Sequence, residues 1–372
     1  MATMHPNPHP EMPGSVRITD PGDLIAAIPA MLGFCPERSL VVIGFAAVGD
    51  RGRCAVRAVM RHDLPDSGID PPDLEPLYRI AGVCGREDFE FAVAVVIDED
   101  DSAGARRMHA YLLEVLRDFL AERGVPLRES FELAALEAGA PWCGRRGDGD
   151  GGVLPDPGAS QLAATLVFEG RVIHPTREDL ADVLRPDGED GRRRLALLLA
   201  RARADSEPTP PPGAAAGSPA GEMPDELARV LLESVLTAIA RAESREEFAD
   251  RDLVEIALAL AVPTVRDALL GLALTEEAAA AERMWLRLAR ALPPPDCAEA
   301  ATMFGFSAYA RGDGPLAGIA LGAALGAHPG HRLAGLLDEA MQRGVRPEAV
   351  TDLARTGLDV ADRLGVTLPP VS

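Results

Sequence analysis

The chain contains no lysine, so arginine carries all of its side-chain positive charge apart from histidine. Without lysine, a Walker-A phosphate loop, a pyridoxal Schiff base and a kinase-type β3 lysine are all impossible. Several large classes of enzyme are therefore excluded. A GC-rich genome biased away from lysine codons explains the absence, which by itself indicates no function.

Cysteine is scarce and scattered. The five cysteines are odd in number and none belongs to a C-x-x-C pair. This pattern predicts reduced thiols in an intracellular protein and no zinc module. Apolar runs are also short: none approaches the ~18 residues that cross a bilayer. The amino terminus lacks the basic and then apolar order of a signal peptide. We therefore expect a cytoplasmic protein.

The charge balance is strongly acidic, with a formal net charge of −21. Nucleic-acid binding depends on basic side chains that neutralise phosphates, and binding to an anionic membrane surface has the same requirement. We therefore expect neither nucleic acid nor membrane as a partner.

The first part of the chain alternates strand and helix patterns. "SLVVIGFA" (39–46) and "CAVRAVMR" (54–61) indicate a hairpin, and "FEFAVAVVID" (89–98) has the continuous apolar character of a buried strand. A long amphipathic pattern over 102–124 predicts a helix, and 130–139 predicts another strand. The alternation predicts an α/β fold with a mixed sheet.

Composition then suggests the domain boundaries. Residues 1–15 are rich in proline and histidine and are predicted to be a disordered tail. The α/β domain with trailing helices is expected over 16–204. A linker rich in proline, alanine and glycine follows at 205–226. From 227 to 372 every pattern is helical, so an all-α domain of helical hairpins is expected.

Three glycines recur at intervals of four within the helix predicted over 314–327: Gly318, Gly322 and Gly326. Each costs about 1 kcal/mol relative to alanine in a helix. A membrane dimer motif needs a longer apolar segment, and a phosphate loop needs its glycines before the helix begins. We therefore predict that the glycines serve close helix packing.

The spacing of small, large and proline residues around these glycines resembles a tetratricopeptide-type hairpin of two helices, 297–311 and 314–327. A third helix is predicted to follow at 331–343. The matching small, large and proline positions are Gly305, Gly312, Ala317, Leu321, Ala324 and Pro329. One such repeat cannot bury its apolar face alone, so a solenoid-like stack with neighbouring helices is expected.

An acidic run, Asp98 to Asp101, follows the buried strand. In open α/β sheets ligands bind at the carboxyl ends of strands, and clustered carboxylates are able to hold Mg²⁺. The alternative, which we favour, is that Asp101 or Ser102 caps the next helix and the other carboxylates are solvated. The candidate ligand-binding residues are Arg38, Ser39, Asp98, Asp100 and Asp101.

Other motifs are incomplete. Cys35 would need a base such as His62 or His109 to act as a nucleophile, and a structural thiol is the favoured interpretation. His328 and His331 lie three residues apart without a third ligand, so we expect exposed side chains and no metal site. We predict no catalytic residue and no cofactor.

Four ordered segments carry a family resemblance. They are "DLIAAIPAMLGFCPERSLVVIGF" (23–45), "TREDL" (176–180), "VRDALL" (265–270) and "RGDGPLAGIALGAALGAHPGHRLAGLLDEA" (311–340). Together they resemble the bacterial family called domain of unknown function 4192, typical of actinobacteria, over 18–350. The resemblance implies a cytoplasmic protein of an uncharacterised family and supplies no catalytic residues.

Two functional hypotheses follow. The first is a non-catalytic protein-interaction or scaffold protein, in which the helical domain binds a protein partner. The second is an enzyme or small-ligand sensor with a site at the sheet edge of the α/β domain.

Overall fold

A computed structural model describes residues 20–48, 53–65, 72–87, 89–145, 151–168, 171–206, 224–243 and 248–371. The chain divides into two compact units, Met1–Leu180 and Ala181–Ser372. The predicted tail at 1–15 lies outside the described residues, as does most of the predicted linker at 205–226.

A six-stranded sheet forms the first unit. Its strands are β1 Ser39–Val48, β2 Arg53–Asp63, β3 Phe91–Ile97, β4 Leu127–Leu133, β5 Pro141–Gly144 and β6 Gly151–Val153. Their order is β2-β1-β3-β4-β5-β6. Neighbouring strands are antiparallel except β3 and β4, which are parallel. The predicted mixed sheet and the β1–β2 hairpin are therefore confirmed.

The helices of this unit are α1 Pro21–Ala26, α2 Ile28–Leu32, α3 Glu75–Arg86, α4 Ala103–Ala121 and α5 Gln161–Phe168, with α6 Arg177–Ala181 at the boundary. Asp20 caps α1 by accepting a hydrogen bond from the Gly22 backbone N at 2.7 Å. Gly33 ends α2 in the left-handed conformation, with φ at 75°.

Apolar side chains cover β3 on both of its faces. Ala92, Ala94 and Val96 belong to a core shared with α3 and α4, whereas Val93 and Val95 are buried on the opposite face. Burial on both faces explains why the sequence of β3 is a continuous apolar run and does not alternate with polar residues.

The far edge of the sheet differs from expectation. The strand predicted at 130–139 runs earlier, over Leu127–Leu133, and the short strands β5 and β6 were not predicted. β6 is mostly glycine, which has no side-chain pattern to read. A Cβ on Gly152 would lie 2.9 Å from the Trp142 ring, so the glycine gives this indole room to pack.

The second unit is all-helical, as predicted. It contains α7 Glu189–Ser206, α8 Asp225–Glu243, α9 Asp250–Leu260, α10 Pro263–Leu269, a 3₁₀ turn Leu270–Leu274, α11 Ala278–Ala291, α12 Cys297–Ala310, α13 Gly314–Ala327, α14 Arg332–Gln342 and α15 Pro347–Arg363. The most enclosed of the described helices is α12, which buries eleven of its fourteen residues. It contacts α11, α13 and α15.

Helix α7 packs within this second unit. It contacts α9 and α11, and its Leu195 and Leu199 are buried. Because this segment precedes the proline-rich stretch in the sequence, it was expected to belong to the α/β domain. Its contacts are instead with helices that follow that stretch.

The helices do not form a simple sequential stack. Repeats of a solenoid contact only their sequence neighbours, but α15 contacts α10, the 3₁₀ turn and α12. Gly357 permits this close approach, because a Cβ there would lie 2.6 Å from the Asp267 carbonyl oxygen. The unit therefore closes around α12.

Within the described ranges, no single helix has the length and apolar composition to cross a membrane. One bent pair of segments, Asp250–Leu260 and Pro263–Leu274, meets those criteria together across a bend of 99°.

Candidate functional site

The candidate site lies where β3 ends and β1 begins. The two strands are antiparallel, with Ser39 opposite Ile97. Arg38 and Asp98 therefore lie next to each other where β1 begins and β3 ends, and this end of the strands is the sheet edge of the candidate site. Ser39 also pairs with Asp63, which brings the end of β2 and Leu64 to the same edge.

The turn from β3 into α4 is ordered by its own polar groups. Asp98 Oδ1 accepts a hydrogen bond from the Asp100 backbone N at 3.1 Å, and Asp100 Oδ1 accepts one from the Ser102 backbone N at 2.9 Å. Ser102 Oγ in turn accepts from Ala105 N at 3.1 Å and caps α4. The capping role expected of Asp101 or Ser102 belongs to Ser102.

Asp98 also forms a buried pair with His109 of α4. His109 Nε2 lies 3.0 Å from Asp98 Oδ2, and the side chains are only 8% and 7% exposed. Buried polar groups are costly unless hydrogen-bonded. This contact therefore satisfies both groups and fixes the first turns of α4 to the end of β3.

A shallow depression in the surface opens beside this pair. It is lined by Arg38, Leu64, Pro65, Asp98, Asp100, Ala105, Met108 and His109. Charged groups of both signs thus share one small surface with four apolar side chains.

The backbone of Arg38 is unusual, with φ at +40° in the left-handed region. For a residue other than glycine this conformation costs roughly 1 kcal/mol or more. The Arg38 carbonyl accepts a hydrogen bond from Leu64 N at 2.8 Å, which holds the strained residue in place.

The pKa of Asp100 is lowered. The main causes are hydrogen bonds from the Ser102 backbone and side chain, with smaller contributions from His109 and Arg38. Asp100 is therefore an exposed carboxylate held in its charged form.

Two predicted ligand-binding residues lie outside the depression. Ser39 is fully buried; its Oγ donates to the Glu37 carbonyl at 2.5 Å and accepts from Arg61 Nε at 2.8 Å. Asp101 pairs with Arg106 at 3.0 Å on the open surface. Arg38, Asp98 and Asp100 are the predicted residues that the structure brings together.

The thiol of Cys35 is not activated. Burial raises its pKa, and Glu37 and Glu137 raise it further. A protonated thiol is a poor nucleophile, so the interpretation of Cys35 as a structural residue is the one these surroundings favour.

His109 was considered in the sequence only as a base for Cys35, not as a partner of Asp98. The sequence did contain a weak indication that His109 has a polar partner. His109 occupies a helical position in line with the buried Ala105, Leu112 and Leu116 of α4. A histidine on a buried helix face requires a polar partner, but its spacing does not say which one.

Within the second unit, the α12–α13 hairpin packs through the positions predicted for it. A Cβ on Gly305 would lie 3.1 Å from Leu321, and Ala317, Leu321 and Ala324 are all fully buried. Gly312, with φ at +82°, forms the turn between the helices. Pro329 lies exposed in the turn before α14.

Gly318, Gly322 and Gly326 do not all pack against a neighbouring helix. A Cβ on Gly318 would contact Met341 at 3.4 Å, but Gly322 and Gly326 are exposed and no described neighbour lies within 4 Å of their Cβ positions. The packing prediction for these two is therefore not met within the described residues. The face that contacts α12 lies elsewhere on the helix, at Ala317, Leu321 and Ala324.

His331 was expected to be exposed, and this was wrong. It is 7% exposed, its Nε2 lies 2.8 Å from Glu299 Oε2, and its Nδ1 accepts from Ala334 N at 3.2 Å. Since Nδ1 accepts, Nε2 carries the proton and donates to Glu299. His328 is exposed, as expected.

Glu299 also pairs with Arg266, at 3.2 Å. Burial opposes ionisation of Glu299, but the hydrogen bond from His331 and the hydrogen bond and charge of Arg266 outweigh it and lower the pKa. Among the described residues, no group of three or more His, Cys, Asp or Glu side chains is arranged to hold a metal ion.

These features define a two-part protein: an α/β unit with a charged sheet-edge depression, and a helical unit closed around a central helix. The family described as Domain of unknown function (DUF4192) matches residues 21–348. The chain belongs to this family. No curated protein and no solved structure matches the chain.

Proposed function

We propose that the protein is a non-catalytic, cytoplasmic interaction protein whose helical unit binds a protein partner. The observation that supports this most directly is the composition of α13. Its fourteen residues, GPLAGIALGAALGA, include no charged or polar side chain. Yet Gly322, Ala323 and Gly326 are exposed.

Such a surface is unusual for this chain, of which 26% is charged. Exposed apolar surface without charge is characteristic of interaction sites. Glycine and alanine also make the surface nearly flat, so a partner helix can approach its backbone closely. The neighbouring α14 adds an exposed leucine, Leu336, which is 56% accessible. We therefore propose that the partner presents a helix to α13.

The resemblance to a tetratricopeptide hairpin is part of this proposal. Repeats of that kind bind proteins along packed helical hairpins. Here the α12–α13 pair supplies the hairpin, and the exposed face of α13 is the surface proposed for binding.

The test is a quantitative capture experiment from native lysate with the full-length chain. Ala323→Glu places a charge on the proposed surface. Ala349→Glu is the matched control, because it makes the same change at an exposed position of α15. A partner retained by the control and lost by Ala323→Glu supports the proposal, provided both variants keep the wild-type circular dichroism spectrum. If every captured protein binds both variants equally, the proposed surface is wrong.

A second candidate function is small-ligand binding at the sheet edge, as an enzyme or a sensor. The observation that favours it is the depression beside the buried Asp98–His109 pair, which Arg38, with its left-handed backbone, also lines. Strained backbone and buried polar pairs are both concentrated at functional sites.

A further inference from the structure

The strand β2 forms one edge of the six-stranded sheet and is long for an edge strand. It runs for 11 residues, Arg53–Asp63, without a proline, whereas β6 at the opposite edge has 3 residues. Edge strands of natural proteins are usually short, covered or interrupted by proline, because their unpaired backbone groups attract another strand. The edge of β2 is therefore a surface suited to pairing with a further strand.

The backbone groups that face outward from this edge follow from the pairing of β2 with β1. The Leu64 N–H donates to the Arg38 carbonyl oxygen at 2.8 Å. In an antiparallel pair, residues bonded in this way alternate with residues whose backbone groups face away. Val59, Arg61 and Asp63 therefore direct their N–H and C=O groups away from β1, and no other described strand pairs with them.

Apolar side chains flank the same edge on both faces of the sheet. Ala58 and Met60 are partly buried against the core that α3 and α4 share with the sheet. Val59, which lies opposite Ile43, is half-buried on the other face. An added strand would remove more apolar surface from water on both faces, which favours pairing.

The charge of β2 differs from that of the whole chain. The chain has a net charge of −21, but β2, RCAVRAVMRHD, contains three arginines and a single acidic residue. Two acidic copies of the chain repel each other, so contact between them is least unfavourable where basic residues are concentrated. The exposed Arg57 and Asp63 also supply one charge of each sign within this strand.

We propose that two copies of the chain pair antiparallel through β2, with the twofold axis at Met60, so that their sheets become continuous. In this register Val59 pairs with Arg61 of the second copy, and Arg57 lies opposite Asp63 of the second copy. Because the contact is symmetric, each favourable pair occurs twice. The contact uses no residue of the α13 surface and so goes beyond the proposed function.

Other registers are less favourable. An axis at Val59 or at Arg61 places two arginines opposite each other, which destabilises a strand pair. An axis at His62 leaves only the last residues of β2 in the pair. An axis at Ala58 places the adjacent β-bulge of both copies next to the axis, where it disrupts the ladder.

The first experiment is sedimentation equilibrium of the full-length chain and of two variants at Val59. Val59→Pro removes an N–H that faces the second copy, and proline is accepted in an edge strand where the N–H faces outward. Val59→Thr is the matched control, because it keeps both the N–H and the β-branched shape. We expect wild-type and Val59→Thr dimers at about 100 µM, and a dissociation constant at least about tenfold higher for Val59→Pro.

A wild-type chain that is monomeric at that concentration overturns the proposal. A dimer of wild-type affinity in Val59→Pro overturns it as well, because the copies then associate through another surface. Circular dichroism spectra establish whether the variants are folded. If Val59→Pro is not folded, a second experiment with cysteine variants decides.

The second experiment tests the register. Met60 lies between the outward-facing residues, so it meets its own copy at a non-hydrogen-bonded position, where Cα atoms are about 4.5 Å apart and a disulfide can form. Ala58 lies two residues from the axis, which separates its two copies by roughly 14 Å, too far for a disulfide. Under mild oxidation we expect Met60→Cys to link two chains and Ala58→Cys not to do so, as mapped by mass spectrometry of unreduced peptides. No link at Met60→Cys, or an equal yield of linked chains at Ala58→Cys, overturns the proposal.

Discussion

At the scale of single residues, two glycines within helices have different surroundings. Gly322 is exposed in α13 with open space at its Cβ position, whereas Gly357 faces the backbone of the α10 segment at 2.6 Å. The same substitution therefore has opposite effects at the two positions.

We predict that Gly322→Ala raises the free energy of unfolding by about 1 kcal/mol, because alanine favours the helix and meets no obstacle. Gly357→Ala lowers it by about 1–3 kcal/mol, since the backbone of the facing segment must move. Urea unfolding followed by the fluorescence of Trp285, which is buried in the second unit, measures both. A destabilised Gly322→Ala variant would show that α13 is not accessible as described.

Cysteine reactivity provides a second test at this scale. Burial raises the pKa of Cys84 to about 12, and its side chain is fully enclosed, whereas Cys143 is exposed. Only the thiolate reacts with iodoacetamide. We predict that peptide mapping by mass spectrometry after brief alkylation of the native chain finds Cys143 modified first and Cys84 last. Rapid labelling of Cys84 would contradict the packing of α3 on the sheet.

At the scale of elements, α14 begins with a histidine cap. His331 Nδ1 accepts from Ala334 N, and Nε2 donates to Glu299 of α12, so one side chain caps a helix and links it to another. We predict that His331→Ala destabilises the second unit by about 1–2 kcal/mol. His331→Asn should lose less, because asparagine restores the cap but not the link to Glu299. Equal losses for the two variants in urea unfolding would argue against the capping role.

Glu299 makes the stability of the same region depend on pH. Its pKa is lowered below the usual 4.5, so its contribution is fully present above that pH and is lost as pH falls through the lower value in the folded state. We predict that acidification below about pH 4.5 destabilises the wild-type second unit more than a Glu299→Gln variant. Urea midpoints at several pH values measure this difference, and parallel curves for the two proteins would contradict it.

At the scale of the whole molecule, the contacts of α7 predict which parts of the chain stay associated. The proline-rich stretch separates α7 from α8 in sequence, but Leu195 and Leu199 of α7 are buried in a unit that also contains α9 and α11. We predict that a chain divided between residues 207 and 223, by co-expression of its two parts, gives two fragments that remain associated in gel filtration. Fragments that separate without denaturant would place α7 with the α/β unit.

Much of the fold was predictable because local signals agreed with tertiary contacts. Asp20 and Gly33 are local signals of this kind at the two ends of the first helical segment, since a cap and a left-handed glycine act within a few residues of themselves. The buried strand β3 was equally clear. The strands β5 and β6 were missed because Pro141 and the glycines of β6 carry a turn-like signature although they pair with a neighbour.

The candidate site was predicted in part. Arg38, Asp98 and Asp100 were chosen as residues at a sheet edge, and the antiparallel pairing of β1 with β3 brings them together. His109 was not assigned to Asp98, because the pairing depends on the rotation of α4. The exposure of Gly322 and Gly326 was missed for a similar reason: a periodic stripe shows that residues share a face, but not whether a neighbour covers it.

The sequence by itself determined the classes of chemistry that are impossible, the α/β and all-α halves, the helix caps and the family, because these follow from residue types and short-range spacing. Only the tertiary structure decided which acidic residues line the depression, that His109 is the partner of Asp98, and that α15 closes the helical unit. These features depend on the rotation and approach of elements distant in sequence, which packing and buried hydrogen bonds select when the chain folds.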